Sequence, residues 1–431
     1  MFHFSLCIMA RVLRTAALSL VLHYAPNLAV AADAAQEPFP LQRALAQALL
    51  KNPSLQAFAF ESRVAEARLL QAGARANPEL GVDIENGLGT GALSGTRSLE
   101  TTLQLSQLID LSGTRARRVE VAEEERALAQ SDYEAKRLEV LAEVAKRFIE
   151  ATADAERLAN ARRARELGEQ MVSIVRERVV AAVLPPIELN KARTALARLQ
   201  IDEEHAEHEF IACRQSLAAV LGEEEPTFGL IRGDLFTLPH VPEFAVLAKA
   251  LEQSPTLARF PLETKWRDAQ LRLAQSLRRS GARISAGVRR VEATDDIGFV
   301  AGFSIPLGTR DQQAGQIREA RERRNQIDFS SEAMRLEMRT TLFQVYQEMN
   351  HARVALTQLQ QEVIPQAEET QTLADQGYRA GRYSLIDLLD AQKSVLELRR
   401  EAVAYAAAFH LHLIEIERLL GAPIGGRGTT P

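Results

Sequence analysis

Two aspartates three residues apart, Asp387 and Asp390, follow a glycine-bearing turn in YRAGRYSLIDLLDAQ, Tyr378 to Gln392. Acids at a helix start do two kinds of work. Ser384 with Asp387 has the spacing of a capping box, and a carboxylate there complements the helix dipole. Asp390 lies beyond the first turn, where capping no longer explains it. Repeated around a symmetry axis, such a pair makes a ring of carboxylates that concentrates cations and repels anions. The two uses are compatible, because a cap can also face a lumen. A related run, VAAVLPPIELNKARTAL, ends at Leu196. There Glu188 matches Asp387, Lys191 matches Asp390, and Pro185-Pro186 replaces Ser384-Leu385. Proline suits a first helical turn, so this copy reads as the stiffer turn.

Other chemistry is thin. EEHAEHE places His205 and His208 one helical turn apart among acids, a weak metal-ligand pair whose simpler reading is a solvated helix face. His412 sits on a heptad seam and reads as an interior or lumen residue. There is no G-x-S-x-G, H-E-x-x-H or phosphate-binding glycine loop, so no enzyme or cofactor is expected. A net charge of -5 over 431 residues gives no reason to expect nucleic acid.

The elements that position these residues form a repeat. ALLKNPSLQA resembles ALEQSPTLAR, and LIDLSGTR resembles SIPLGTR. PIELNKA and LIDLLDA align at an offset of 199, as do Leu221-Gly222 and Leu420-Gly421. Two halves are expected, 32–235 and 236–421, joined near LFTLPHVPEF, whose prolines stop any helix. A tail over 422–431 is expected to be flexible. Arg11, Arg14, a short apolar core and Ala29-Val30-Ala31 read as a secretory signal over 1–31. Its removal leaves Cys213 alone, with no partner for an intrachain disulfide.

Each half reads as helix, two short strands, a very long helix, a turn and another helix. Strands are expected near 80–85, 99–107, 284–290 and 297–305. Leu80, Val82 and Ile84 alternate with Gly81, Asp83 and Glu85, and the other segments alternate likewise. A lone hairpin is marginal in water. Lipid covers such an apolar face only when the sheet closes and leaves no edge. Four strands cannot close, and the smallest membrane barrels use eight. Two chains would give eight strands and three would give twelve, so the pattern demands an oligomer without choosing its number. After the first turn, Leu189, Ala192, Leu196, Leu199, Glu203, Ala206, Phe210, Cys213, Leu217 and Val220 keep a 3-4 spacing, and adding 199 reproduces the register. That period winds packed helices left-handedly. Leu111 to Val180 holds no proline, enough chain for a helix of about 100 Å.

Two tandem halves, a strand pair between long helices, an N-P-x-L near the start and Y-x-x-G-x-x-S-x-x-D-x-L-D-A at the second turn resemble the TolC family of outer-membrane efflux channels. FSIPLGTRDQQAGQIREAR resembles the branch that includes the CzcC heavy-metal channels. The resemblance implies a mainly α fold with a small β part. It also implies a homotrimer: a helical tunnel in the periplasm capped by a 12-stranded barrel in outer-membrane lipid. A periplasmic adaptor and an inner-membrane pump of the resistance-nodulation-division type are implied partners. Matched residue by residue, Asp387 and Asp390 are the aperture acids and Tyr378 the latch tyrosine, while Tyr383 stands where the family carries a latch arginine. Ala182, Leu184, Gly381, Arg382 and Ser384 are the implied adaptor-docking tips. Divalent metal export is the expected function, a duct for drugs or other small molecules of the same family is the alternative, and a structural periplasmic coiled-coil adaptor is the reading from another class.

Overall fold

The computed structural model describes residues 38–278, 281–306 and 312–424. The signal over 1–31, the motif arginine at 310 and most of the expected tail lie outside these residues. The first half runs α1 (Leu41–Lys51), α2 (Pro53–Ala72), β1 (Glu79–Glu85), β2 (Glu100–Ile109), α3 (Thr114–Val180) and α4 (Pro186–Leu221). The second runs α5 (Phe244–Leu251), α6 (Pro255–Ser276), β3 (Ala282–Val291), β4 (Asp296–Ser304), α7 (Ala314–Gln358), a π turn (Leu359–Val363), α8 (Ile364–Arg379) and α9 (Leu385–Leu420).

The repeat is visible in single hydrogen bonds. Asn52 caps α2 by accepting from the Leu55 N–H, and Ser254 caps α6 by accepting from the Leu257 N–H. Proline follows each cap, where its missing N–H costs nothing. Helices α4 and α9 end on Gly222 and Gly421, both left-handed. The expected long helix begins at Thr114 rather than Leu111 because the Asp110 carboxylate takes the N–H groups of Ser112, Thr114 and Arg115. Its 67 residues span about 100 Å. The corresponding shaft in the second half is interrupted. Pro365 cannot donate to the ladder, and the π turn just before it absorbs the mismatch.

Every one of the ten heptad positions on α4, and every one of its ten counterparts on α9, is buried or half-buried. Ile201 and Ile211, off that seam, are exposed. The period therefore marks the faces that pack, chiefly α4 on α3 and α9 on α7 and α3. His412 is half-buried on this seam, and burial lowers its pKa. At the turn end, Met171, Val172 and Val175 of α3 pack with Ala192 of α4, Ala374 and Tyr378 of α8, and Leu385 and Leu388 of α9. This cluster welds the two helical hairpins together.

At the other end the four strands form one antiparallel sheet in the order β1-β2-β3-β4. The register carries Val82, Leu103, Val288 and Phe299 across it in one row, and Leu80, Leu105, Ala286 and Ala301 in another. These rows share a face on which Leu80, Val82, Ile84, Leu103, Leu105 and Phe299 are all exposed. The opposite face is polar and tied together. Gln104 donates to Asp83 at 2.6 Å. Arg289 reaches Glu100 at 2.8 Å, Thr102 at 2.9 Å and Glu85 at 3.1 Å, and Arg283 meets Glu79 and Ser106. The expected alternation is thus observed, with β2 running two residues past Gln107. Strands β1 and β4 are open edges. Among the described residues no helix is long and apolar enough to cross a membrane, which says nothing of the sheet.

Candidate aperture at the helical turns

The two turns share a backbone, bond for bond, at the offset of 199. The N–H groups of Val183 and Leu184 donate to the Arg178 carbonyl, and those of Arg382 and Tyr383 to the Gly377 carbonyl. Ala182 and Gly381, the expected tips, both have positive φ, at 54° and 71°. Glycine takes that conformation freely, whereas alanine is strained there. The first tip accepts this strain between a helix end and Pro185-Pro186. Leu184 is half-buried against the hairpin-welding cluster, while Ala182, Gly381, Arg382 and Ser384 are exposed.

Ser384 and Asp387 form a reciprocal capping box. The Ser384 N–H donates to Asp387 at 2.9 Å, and the Asp387 N–H donates to the Ser384 hydroxyl at 3.3 Å. The serine hydroxyl also donates to the carboxylate at 2.7 Å, and these bonds hold the Asp387 pKa below its usual value. Asp387 is therefore a fixed anion. Asp390 is exposed one turn later and has no ion pair among the described residues. In the first-half copy Glu188 is paired to Lys191 at 2.9 Å.

Tyr378 is not at a surface. It is 3% exposed, inside the cluster that joins the hairpins. Burial pushes its phenol pKa up, and the nearby Arg178 charge works against that shift. Arg178, from the end of α3, lies over the Tyr378 ring at 4.9 Å. Its guanidinium donates to the Tyr378 carbonyl at 3.0 Å and the Arg379 carbonyl at 2.9 Å. These are last-turn carbonyls of α8, which lack partners in their own helix and favour a cation. The cross-hairpin tie is thus made by an arginine of the first half. Tyr383, at the position expected for that role, instead lays its ring on Gly377, where an added Cβ would stand 2.0 Å from it. Sequence reasoning missed Arg178. The available signal was its alignment with Gly377, an arginine facing a glycine at the last turn before the tip.

His205 and His208 are exposed on α4, and His205 lies 3.2 Å from Glu209. No group of three or more His, Cys, Asp or Glu side chains able to hold a metal occurs among the described residues.

A sheet with one exposed apolar face, one ion-paired polar face and two open edges, set on a shaft about 100 Å long, defines a subunit of a membrane-embedded channel. The chain matches the outer membrane efflux protein family over residues 44–223 and 246–422 and belongs to that family. Its product is an outer-membrane duct with a large periplasmic part, not an enzyme. The family works in tripartite assemblies with an adaptor and an inner-membrane pump. Among curated relatives, the cobalt-zinc-cadmium resistance protein CzcC of Cupriavidus metallidurans is 28% identical over 384 residues, 89% of this chain and 90% of that protein. The nickel and cobalt resistance protein CnrC of the same organism is 27% identical over 310 residues, 72% of this chain and 73% of that protein. Among solved structures, the transmembrane channel CusC superposes with a TM-score of 0.73 at 16% identity, covering 90% of this chain and 93% of that one. The Vibrio cholerae outer membrane protein VceC gives 0.69 at 18%, covering 89% and 96%. The two matched segments and the two hairpins leave no place for the single-hairpin periplasmic adaptor weighed from the sequence.

Proposed function

We propose that three copies of this chain form the exit duct of a pump for divalent heavy-metal cations, a passive channel driven by its inner-membrane partner. The supporting observation is similarity along nearly the whole chain to CzcC, together with a duct fold that fits the same task. The repeats over 32–235 and 236–421 are the two units each chain contributes to the tunnel. Asp387 and Asp390 line the inner aperture, and Tyr378, held under Arg178, belongs to its closure. The tips at Ala182, Leu184, Gly381, Arg382 and Ser384 meet the periplasmic adaptor, and the pump is of the resistance-nodulation-division type. A duct needs no recognition site for its cargo, in keeping with the exposed and unclustered His205 and His208.

Deletion of the gene tests this reading. Tolerance to cobalt, zinc or cadmium is expected to fall severalfold and to return when the gene is restored. Unchanged metal tolerance with increased sensitivity to drugs would replace the metal cargo with small organic molecules and leave the duct itself intact.

A further inference from the structure

The two halves of the chain meet where β2 pairs with β3 and where α3 receives α6 and α9 of the second half. The long helix of the second half, α7, packs chiefly on α6 and α9 of its own half. Equivalent positions on the two long helices follow from their cores. Val140, Val144 and Ala151 pack with Leu217 and Leu221 in the first half, as Met338, Leu342 and Met349 pack with Ile416 and Leu420 in the second. Over this stretch the long helices therefore correspond at an offset of 198, and the helices after the turns at 199. The seam between the halves is closed: Ala142, Ala145, Ile149 and Ala153 of α3 are buried with Val403, Ala406, Ala407 and Ile414 of α9. The counterparts on α7 are Thr340, Phe343, Gln347 and His351, and those on α4 are Glu204, Glu207, His208 and Gln215. All eight are exposed.

The same contrast continues towards the sheet. Leu138 of α3 lines one cavity with Pro255 and Thr256 of α6. Its counterpart Leu336 is 52% exposed. The paired caps Asn52 and Ser254 set an offset of 202 between α2 and α6, so Pro53 and Ser54 match Pro255 and Thr256. Phe60 and Val64 of α2 are exposed, whereas Leu262 and Trp266, their matches on α6, are half-buried. The open edges of β1 and β4 name the missing cover. A second copy that pairs its β1 with β4 brings its own first half beside α7, as the second half lies beside α3 within the chain. Such a contact uses a different surface on each copy and closes into a ring. The in-chain seam also fixes the level. Lys146 reaches Glu415 at 2.9 Å, and Leu138 lies 3.5 Å from where a Cβ of Gly421 would stand. On antiparallel helices tied in this way, Ala153 is level with Ala407. We propose that α7 of one copy is covered by α2 and α4 of the next in this same register, so that His351 meets His208 of the partner subunit and Leu336 meets Ser54 of the partner subunit. Two imidazoles then stand between copies where two alanines stand within the chain.

Cysteine pairs read this register in the full chain, placed in a Cys213→Ala background and oxidised in outer membranes with copper phenanthroline. A disulfide forms only where Cα atoms come within about 7 Å. His351→Cys with His208→Cys, and Leu336→Cys with Ser54→Cys, are each expected to give linked species of two and three chains on a denaturing gel, because links in a head-to-tail ring continue from copy to copy. The control is His351→Cys with Ile201→Cys, which moves one cysteine seven residues, about 10 Å, along the same face of α4. It should link about tenfold less than the first pair. All the substituted positions on α4 and α7 are exposed in the single chain, so folding is not at stake. The placement rests on the three-copy duct proposed above, and native mass in mild detergent is therefore measured on the same samples. A particle of three chains in which the two expected pairs do not both link, or in which the control links as readily, overturns the register and leaves the duct standing. A single-chain particle overturns both.

Discussion

Leu103→Arg is expected to abolish recovery of the protein in the outer-membrane fraction, whereas Gln104→Arg one residue later is expected to leave recovery within about twofold of the parent. The two positions are neighbours on β2 and point to opposite faces of the sheet. Leu103 lies in the apolar row with Val82, Val288 and Phe299, and it is 45% exposed in the single chain. An arginine on the lipid face near the bilayer midplane costs roughly 2–4 kcal/mol, and a trimer carries that cost three times. Gln104 lies on the polar face beside Asp83, to which it already donates. An arginine there finds a carboxylate waiting. Fractionation of both variants and immunodetection of the assembled species give the result. Equal loss, or equal retention, would mean that the apolar face does not meet lipid.

The second large effect belongs to Arg178. Arg178→Ala removes two charged hydrogen bonds to α8 carbonyls and the stacking on Tyr378. Charge-assisted bonds contribute about 1.5–3 kcal/mol each when buried, and less at this half-exposed tip. Loss of the tie is expected to free the α8–α9 hairpin from α3. In bilayers this should appear as a rise in open probability of about tenfold, and in cells as entry of large antibiotics that the parent excludes. Arg178→Lys keeps the charge but not the fork that reaches two carbonyls at once, so its effect should be intermediate. The buried Tyr378 is a poorer target for this test, because its truncation also damages the cluster that packs the hairpins.

What the sequence showed and what it hid divide along physical lines. The strands were legible because period two is a property of the strand alone, and the rows of the sheet follow the same alternation. The packed faces of α4 and α9 were legible because the seven-residue spacing survives duplication. The capping box at Ser384 and Asp387 was legible because both partners lie within one turn. Arg178 was hidden because its partners, the carbonyls of residues 378 and 379, have no side-chain identity and lie 200 residues away. The start of α3 was displaced for a similar reason. Asp110 outcompetes the helix for three N–H groups, and propensity alone does not register that competition.

The open edges of β1 and β4 decide how the chain assembles. Each is a row of unpaired backbone groups that hydrocarbon cannot satisfy, so the chain must complete its wall with copies of itself. The direct measurement is the native mass of the protein extracted from outer membranes in mild detergent and corrected for bound detergent. A particle of three chains is expected, resistant to dissociation until the detergent denatures it. A folded single chain, stable in detergent-free buffer and absent from the membrane fraction, would contradict it.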